Sequence, residues 1–276
     1  MALKYEIAIA AIVGSRRTQE DAARVAPLST GSEAALPATT TSANQTGRNQ
    51  TRMLAALADG MGGHTSGEVA SRVACESFIA ATSAAMTCAP ASSPNASLSH
   101  GLHAANAAIA LAAEQNPAFT GMGCTLVGAL LDERGIQWIS VGDSLLLLWR
   151  RGVLARLNED HSLAPEIDRL VAAGVLTAAA ARSDPRRHYL RSALTGEDIE
   201  LIDAPAEAVQ LGHGDIVVLA SDGLETLSHA SVADLLAAGI EAPAERLASR
   251  LVNAVDATEA ANQDNTTVIV VLVKSD

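Results

Sequence analysis

Four apolar runs, residues 125–131, 136–141, 145–149 and 153–157, follow one another through the middle of this 276-residue chain with no space for a helix between them. Asp132-Glu133-Arg134-Gly135 joins the first two and Arg150-Arg151-Gly152 joins the last two. Connections this short make hairpins. Parallel neighbours need a crossover of a dozen or more residues, so hairpins mean antiparallel sheet. A doubly wound parallel sheet is thereby disfavoured. Further strand-like runs lie at 5–13, 53–58, 216–220 and 266–273.

Helical periodicity appears over 66–86, where Val69, Val73, Phe78 and Ile79 share a face, and over 100–114 with Leu102, Ala105, Ile109 and Ala112. A second pair spans 231–238 and 243–258, the latter with Leu247, Leu251, Val252 and Val255 inward. Each pair must bury its apolar stripe on one sheet face. The fold expected is therefore α+β, a four-layer α-β-β-α sandwich of two antiparallel sheets clad by helix pairs, in one domain over 1–276. Hydrophobic residues make up 49% of the chain but include only two each of Phe, Trp and Tyr, so Ala, Val, Leu and Ile must build the core. Residues 29–51 and 87–99 are rich in small polar residues and read as flexible loops.

A net charge of −12 argues against nucleic acid and anionic membrane surfaces as partners and favours cations. The longest apolar stretches, 7–13 and 268–273, fall far short of the roughly 18 residues a membrane span needs. With no recognisable signal peptide, a cytoplasmic monomer is expected. Cys75, Cys88 and Cys124 are odd in number and lack C-x-x-C spacing, and read as small core residues.

Acids stand at the ends of strand-like runs beside turn-forming residues, in Glu20-Asp21-Ala22, Asp59-Gly60-Met61-Gly62-Gly63-His64, Ser221-Asp222-Gly223 and Asp264-Asn265-Thr266-Thr267. Singly, an Asp-Gly is a turn. Jointly they place several carboxylates beside buried strands, where like charges raise one another's pKa unless a cation neutralises them. Clustered carboxylates with a backbone carbonyl suit hard divalent ions such as Mg²⁺ and Mn²⁺. Gly60 would let the backbone approach such an ion. A two-metal carboxylate site suits in-line attack by water on a phosphoryl group. No nucleophile elbow, P-loop, EF-hand or zinc cluster competes with it.

These segments resemble the metal-dependent protein serine/threonine phosphatases of the PPM/PP2C type in their bacterial single-domain form, across nearly the whole chain. Arg16-Arg17-Thr18-Gln19-Glu20-Asp21-Ala22 is similar to the family's R-x-x-N-E-D-A, with Gln19 for Asn, and Asp59 to His64 matches D-G-M-G-G-H. Gly123-Cys124-Thr125 resembles G-x-T, and Val141-Gly142-Asp143-Ser144 resembles V-G-D-S-R with Leu145 for the Arg. Ser221-Asp222-Gly223 and Asp264-Asn265 complete the set.

The resemblance implies metal ligation by Glu20, Asp21, Asp59, Gly60, Asp222 and Asp264, with Asp59 bridging two tightly held Mn²⁺ or Mg²⁺ ions and Asp143 at a weaker third. It implies catalytic roles for Asp59, Asp222 and Arg16, the last gripping substrate phosphate, with Arg17 as the neighbour open to confusion with it. A flap is implied over 158–196, and His64 is a candidate proton donor. Thr226 stands where family members often carry an acid, with Glu225 one residue early. The activity implied is hydrolysis of phosphoserine and phosphothreonine on proteins, opposing a bacterial serine/threonine kinase. The alternatives are a catalytically silent pseudophosphatase that only binds partners and a phosphatase restricted to one regulatory protein.

Overall fold

The computed structural model describes residues 3–28, 46–62, 65–88 and 93–275. All eight strand-like runs form strands, and both hairpins close in the expected antiparallel register, Asp132 opposite Gly135 and Arg150 opposite Val153. One sheet contains β1 (Leu3–Ile12), β3 (Thr46–Gln50), β8 (Leu145–Arg150), β9 (Val153–Arg156), β10 (Ile216–Ala220) and β11 (Thr266–Ser275), in the order β3-β1-β11-β10-β8-β9. The other runs β2-β4-β6-β7, from β2 (Asp21–Pro27), β4 (Met53–Met61), β6 (Leu126–Asp132) and β7 (Gly135–Val141), with the short β5 (Gly123–Cys124) paired to the end of β4. All these pairings are antiparallel.

Both faces of each sheet are covered, which is why the strands read as continuous apolar runs. In β8, Leu146 and Leu148 point into the core between the sheets, with Leu57, Val127, Val217 and Ile269. Leu145, Leu147 and Trp149 point the other way, onto α5 (His229–Ala237) and α6 (Ala244–Asp256). The outer face of the second sheet packs on α1 (Thr65–Cys88) and α2 (Pro94–Gln115) through Leu54, Phe78, Leu102 and Leu126. Three apolar layers separate four layers of structure, as the sequence predicts.

Five local expectations need correction. Strand β2 has no periodic signal, because its Ala-rich, half-polar DAARVAP sequence has low β propensity. Strand β3 occupies part of the expected 29–51 loop; its polar TGRNQ sequence lies at the sheet edge beside β1, and 29–45 lies outside the described residues. Helix α2 starts six residues before the expected 100, capped by Ser93, whose hydroxyl accepts from the Ala96 amide, with Pro94 in the first turn. That start claims part of the expected 87–99 loop. On α1 the buried stripe is Ala70, Ala74, Cys75 and Phe78, with Val69 and Val73 only partly covered, since small side chains let the helix lie close to the sheet. Cys75 and Cys124 are buried as expected, whereas Cys88 is exposed at the end of α1.

Close approach is sharpest at Gly128 in β6, where a Cβ would lie 2.1 Å from Cζ of Phe78. The ring is fully buried and cannot retreat toward solvent. Gly128→Ala should therefore destabilise the fold by about 1–3 kcal/mol through overpacking, read as a melting temperature several degrees below wild type. An unchanged melting temperature would show that the ring has room to shift.

Candidate active site

The implied site residues lie at the ends of strands from both sheets. Asp21 opens β2 and Asp59 closes on the same end of β4, where the two are directly opposite in the antiparallel register, so their side chains leave the same sheet face. Asp222 sits just beyond β10, in a single 3-10 turn, and Asp264 just before β11. Asp143 stands in the turn between β7 and β8. A cleft of about 1100 Å³ is lined by Arg16, Arg17, Glu20, Asp59, Gly60, Asp143, Asp222 and Asp264. Asp21 is almost completely buried behind it. Gly63 and His64 lie outside the described residues.

Asp59 and Asp21 are fixed through neighbouring hydrogen bonds. Thr125 grips both sides of the Asp59 backbone, its amide donating to the Asp59 carbonyl at 2.9 Å and its Oγ1 accepting from the Asp59 amide at 2.9 Å. That hydroxyl also shares a 2.7 Å hydrogen bond with Ser144, next to Asp143. Gly142, at φ +100°, leaves the room this requires, since a Cβ there would lie 2.6 Å from the Thr125 methyl. Ser221 ties the two sheets together: its Oγ donates to Asp21 Oδ2 at 2.7 Å and accepts from the Thr267 amide at 3.0 Å.

The loop carrying Arg16 to Glu20 is held by Asn265. Its Oδ1 accepts from the Glu20 amide at 2.7 Å, and its Nδ2 donates to the carbonyls of Val13 at 2.8 Å and Thr18 at 3.0 Å. Gln19 bridges the same loop, donating to the Ile12 carbonyl and accepting from the Asp21 amide. Gly60 is wedged between the backbones of Glu20 and Gly67, where a Cβ would meet the Gly67 carbonyl oxygen at 2.1 Å. This contact, together with the Gly60 amide donating to the Glu20 carbonyl, accounts for the glycine.

Electrostatics mark the acids as one group. Burial first, then the charges of Asp21, Asp222, Asp143 and Asp264, hold the Asp59 carboxyl well above the ordinary carboxylate range. Asp143 is pushed up to about 7, again by burial first and by Asp222 next. Asp21 and Asp222 are raised too, burial being the largest cause in both. Asp21 Oδ1 and Asp222 Oδ1 are buried with no hydrogen-bond partner among the described residues. An all-oxygen donor set with orphaned carboxylate oxygens fits hard divalent cations. Among the described residues, no three acidic, histidine or cysteine side chains close around one point as a finished ligand set.

Arg16 does not stand free. Its guanidinium pairs with Asp264 at 2.5 Å, although the side chain is 57% exposed. Arg17 is exposed in the same cleft and has no ion-pair partner among the described residues. Beside Asp143, Arg156 donates to the Asp143 carbonyl at 2.8 Å and to Asp160 at 3.3 Å, and lies 4.0 Å from Glu225. Arg156 escaped sequence reasoning because it belongs to no motif; the missing Arg at Leu145 was its one indirect signal.

The expected flap contains α3 (Ala164–Ala172) and α4 (Ala178–Arg182) and is pinned at both ends, by bridges from Ser162 to Leu190 and from Cys124 to Leu194. It carries His188 and Tyr189 to the cleft wall. Neither has a sequence signal beyond membership of the flap.

Comparison with known proteins agrees with this fold. The family model for protein phosphatase 2C matches residues 42–263. The serine/threonine protein phosphatase PstP of Mycobacterium tuberculosis is 37% identical over 171 residues, which are 62% of this chain and 31% of that protein. The chain thus aligns with about a third of that relative's length. A crystal structure of PstP from the same organism superposes with a TM-score of 0.73 at 29% identity, covering 100% of both chains. A PstP catalytic domain solved in complex with two manganese ions gives a TM-score of 0.71 at 29% identity, over 99% of this chain and 100% of that one.

Carboxyls with raised pKa values bind more protons folded than unfolded in the interval between the ordinary carboxylate value and the raised one. Their contribution to stability is full below about pH 4 and lost as pH climbs through about 7. In EDTA, the protein should therefore melt at a lower temperature at pH 8 than at pH 5.5. Asp59→Asn should melt above wild type at pH 8, with a smaller difference between the two pH values. Wild-type protein that is more stable at pH 8 than at pH 5.5 would contradict the acidic cluster.

Proposed function

The chain belongs to the protein phosphatase 2C family, and from that membership we propose that it hydrolyses phosphoserine and phosphothreonine on proteins. The observation that carries the reading is the gathering of Asp59, Asp143, Asp222 and Asp264 with Arg16 and Arg17 in one cleft. Asp59, Asp222, Asp264, Asp21 and Glu20, with the Gly60 carbonyl, would hold two Mn²⁺ or Mg²⁺ ions. When bound, such ions supply Lewis acidity at phosphorus and a water acidic enough to attack at neutral pH.

The chain's own groups do the rest. Thr125 fixes Asp59 from both sides, and Ser221 and Asn265 set the spacing of Asp21 and of the arginine loop against the first sheet. Arg16 is the residue proposed to receive the phosphate dianion, with a planar fork suited to two phosphate oxygens. A cation in the cleft would neutralise Asp264 and so free that guanidinium from its ion pair. A third ion beside Asp143 would share its acids with Arg156, whose fixed positive charge already faces Asp160 and Glu225. The flap, with Tyr189 60% exposed at the cleft wall, meets the polypeptide on either side of the phosphorylated residue.

Completeness of the acidic set favours an enzyme over a silent binding module. A phosphatase acting as a cytoplasmic monomer against a serine/threonine kinase is the fuller form of the proposal, with one single-domain unit over 1–276. Among the described residues no helix is long and apolar enough to cross a membrane.

Hydrolysis of p-nitrophenyl phosphate and of a phosphothreonine peptide should require added Mn²⁺ or Mg²⁺ and stop in EDTA. Asp222→Asn should lower kcat by several orders of magnitude while the metal-free protein keeps its melting temperature or gains. Full turnover in EDTA, or an active Asp222→Asn enzyme, would refute the reading.

Substrate capture separates from water activation at the arginines. Loss of a charge-assisted hydrogen bond costs about 1.5–3 kcal/mol, roughly tenfold to a hundredfold. Arg16→Ala should raise KM by that factor with a smaller effect on kcat, since uniform binding is lost. Arg17→Ala should change KM far less, and Arg16→Lys should recover part of the defect. If Arg17→Ala carries the KM effect instead, the unpaired neighbour is the phosphate ligand.

A further inference from the structure

Moving a phosphoryl group from serine or threonine to water releases an alkoxide, a strong base that leaves readily only when a proton reaches its oxygen as the bond to phosphorus breaks. The acids of the cleft are poor donors for that proton, because a carboxylate that holds a cation has already lost its own. Arg16 and Arg17 keep theirs at any accessible pH. Two titratable side chains remain among the described residues of the cleft wall, His188 and Tyr189 of the flap. A phenol is a much weaker acid than an imidazolium, and histidine is the side chain that exchanges a proton near neutrality.

The backbone on both sides of His188 is held firmly. The residue ends a single 3-10 turn, Pro185–His188, capped by Asp184, whose Oδ1 accepts from the Arg186 amide at 3.0 Å. Arg187, just before it, pairs with Asp168 of α3 at 2.6 and 3.1 Å. Just after it, the Tyr189 carbonyl accepts from the Leu163 amide at 3.0 Å, and the Arg191 amide donates to the His161 carbonyl at 2.8 Å. His161, 3% exposed, in turn exchanges two hydrogen bonds with Gly142, the neighbour of Asp143. Its amide donates to the Gly142 carbonyl at 3.1 Å, and its Nδ1 accepts from the Gly142 amide at 3.3 Å. A continuous set of hydrogen bonds thus runs from the acidic cleft through the base of the flap to the segment that carries His188.

Electrostatics place the ring near the acids. Burial raises the carboxyls of Asp222 and Glu225, and positive charge on His188 is among the effects that oppose it in both. That opposition requires the imidazole to stand close to Asp222, the acid beyond the end of β10.

We propose that His188 is the general acid of the reaction, giving a proton to the serine or threonine Oγ as it leaves phosphorus. The inference rests on the phosphatase reading above. As water attacks phosphorus, the bond from phosphorus to Oγ breaks and its electron pair goes to Oγ. The imidazolium N–H proton moves to that oxygen, which departs as a neutral hydroxyl. The attacking water keeps one proton in the product hydrogen phosphate and gives the other to solvent, and His188, exposed at the wall, takes one back from solvent.

The leaving group supplies the test, since p-nitrophenolate spreads its charge over the ring and departs without a proton. Wild type, His188→Gln and His188→Asn are compared with Mn²⁺ on a phosphothreonine peptide and on p-nitrophenyl phosphate. General acids contribute about 10²–10⁴ in rate, so in both variants kcat for the peptide should fall roughly a hundredfold or more with KM little changed. The ratio of peptide turnover to p-nitrophenyl phosphate turnover should fall by about thirtyfold or more. Mn²⁺ affinity by calorimetry should match wild type, as expected where the acids are undisturbed. A loss confined to KM would make His188 a residue of substrate recognition, and an equal loss on both substrates a structural one. Either result, or unaltered turnover, would overturn the proposal. So would the same leaving-group-selective loss from Tyr189→Phe or His64→Gln in place of the His188 variants. A wild-type protein inert toward the peptide with Mn²⁺ present would refute the phosphatase reading, and this proposal with it.

Discussion

Carboxylates resist being brought together, and the sandwich exists to hold them against that resistance. Asp21 and Asp59 belong to one sheet and Asp222 and Asp264 to the other, so their proximity depends on the apolar layer between the sheets. Leu57 in β4 and Leu219 in β10 are buried in that layer, close in sequence to Asp59 and Asp222. The rigidity of a close-packed interior is what keeps mutually repelling side chains from drifting apart. Burial then raises their pKa values, and the orphaned oxygens of Asp21 and Asp222 give a cation a strong electrostatic reason to bind.

Much of this is legible in the chain because both faces of most strands are buried. Runs such as LLLLW and IVVLA are too short for helices and read as interior strands, and the short turns after β6 and β8 fix antiparallel pairing there. The acidic motifs are legible for a different reason, since all but Glu20-Asp21-Ala22 juxtapose an acid with a glycine, serine or asparagine whose chemistry is unusual at a strand end. What the chain conceals is whatever lacks one of these two signals. Strand β2 carries Asp21 but is Ala-rich and half-polar, and β3 pairs at an edge with no apolar side to advertise it.

The supporting groups are hidden more deeply. Thr125, Ser221 and Asn265 are visible as motif letters, but their work is done across gaps of 66, 200 and 245 residues, respectively. Short-range pattern cannot report contacts of that span. Arg156 is hidden outright, because an arginine on a hairpin strand looks like ordinary solvated charge until Asp143, Asp160 and Glu225 are seen around it. Arg16 shows the opposite case, a residue whose motif is plain but whose observed partner, Asp264, belongs to the acidic cluster itself.

Strand order also governs when this protein can come into being during synthesis. β11 lies between β1 and β10, pairing with β1 over its whole length from Leu3–Ser275 to Ile12–Thr266. Ribosomes deliver β1 first and β11 at the close of the described chain, so β1 waits for a neighbour more than 250 residues away. Non-local pairing of this kind slows folding and leaves strand edges exposed meanwhile. Asp264 and Asn265 arrive with that final strand. A nascent chain halted before Asp264 therefore lacks an inner strand of one sheet, an acid of the cleft and the clamp on the arginine loop together, so the cleft is completed only when the last of the described strands arrives.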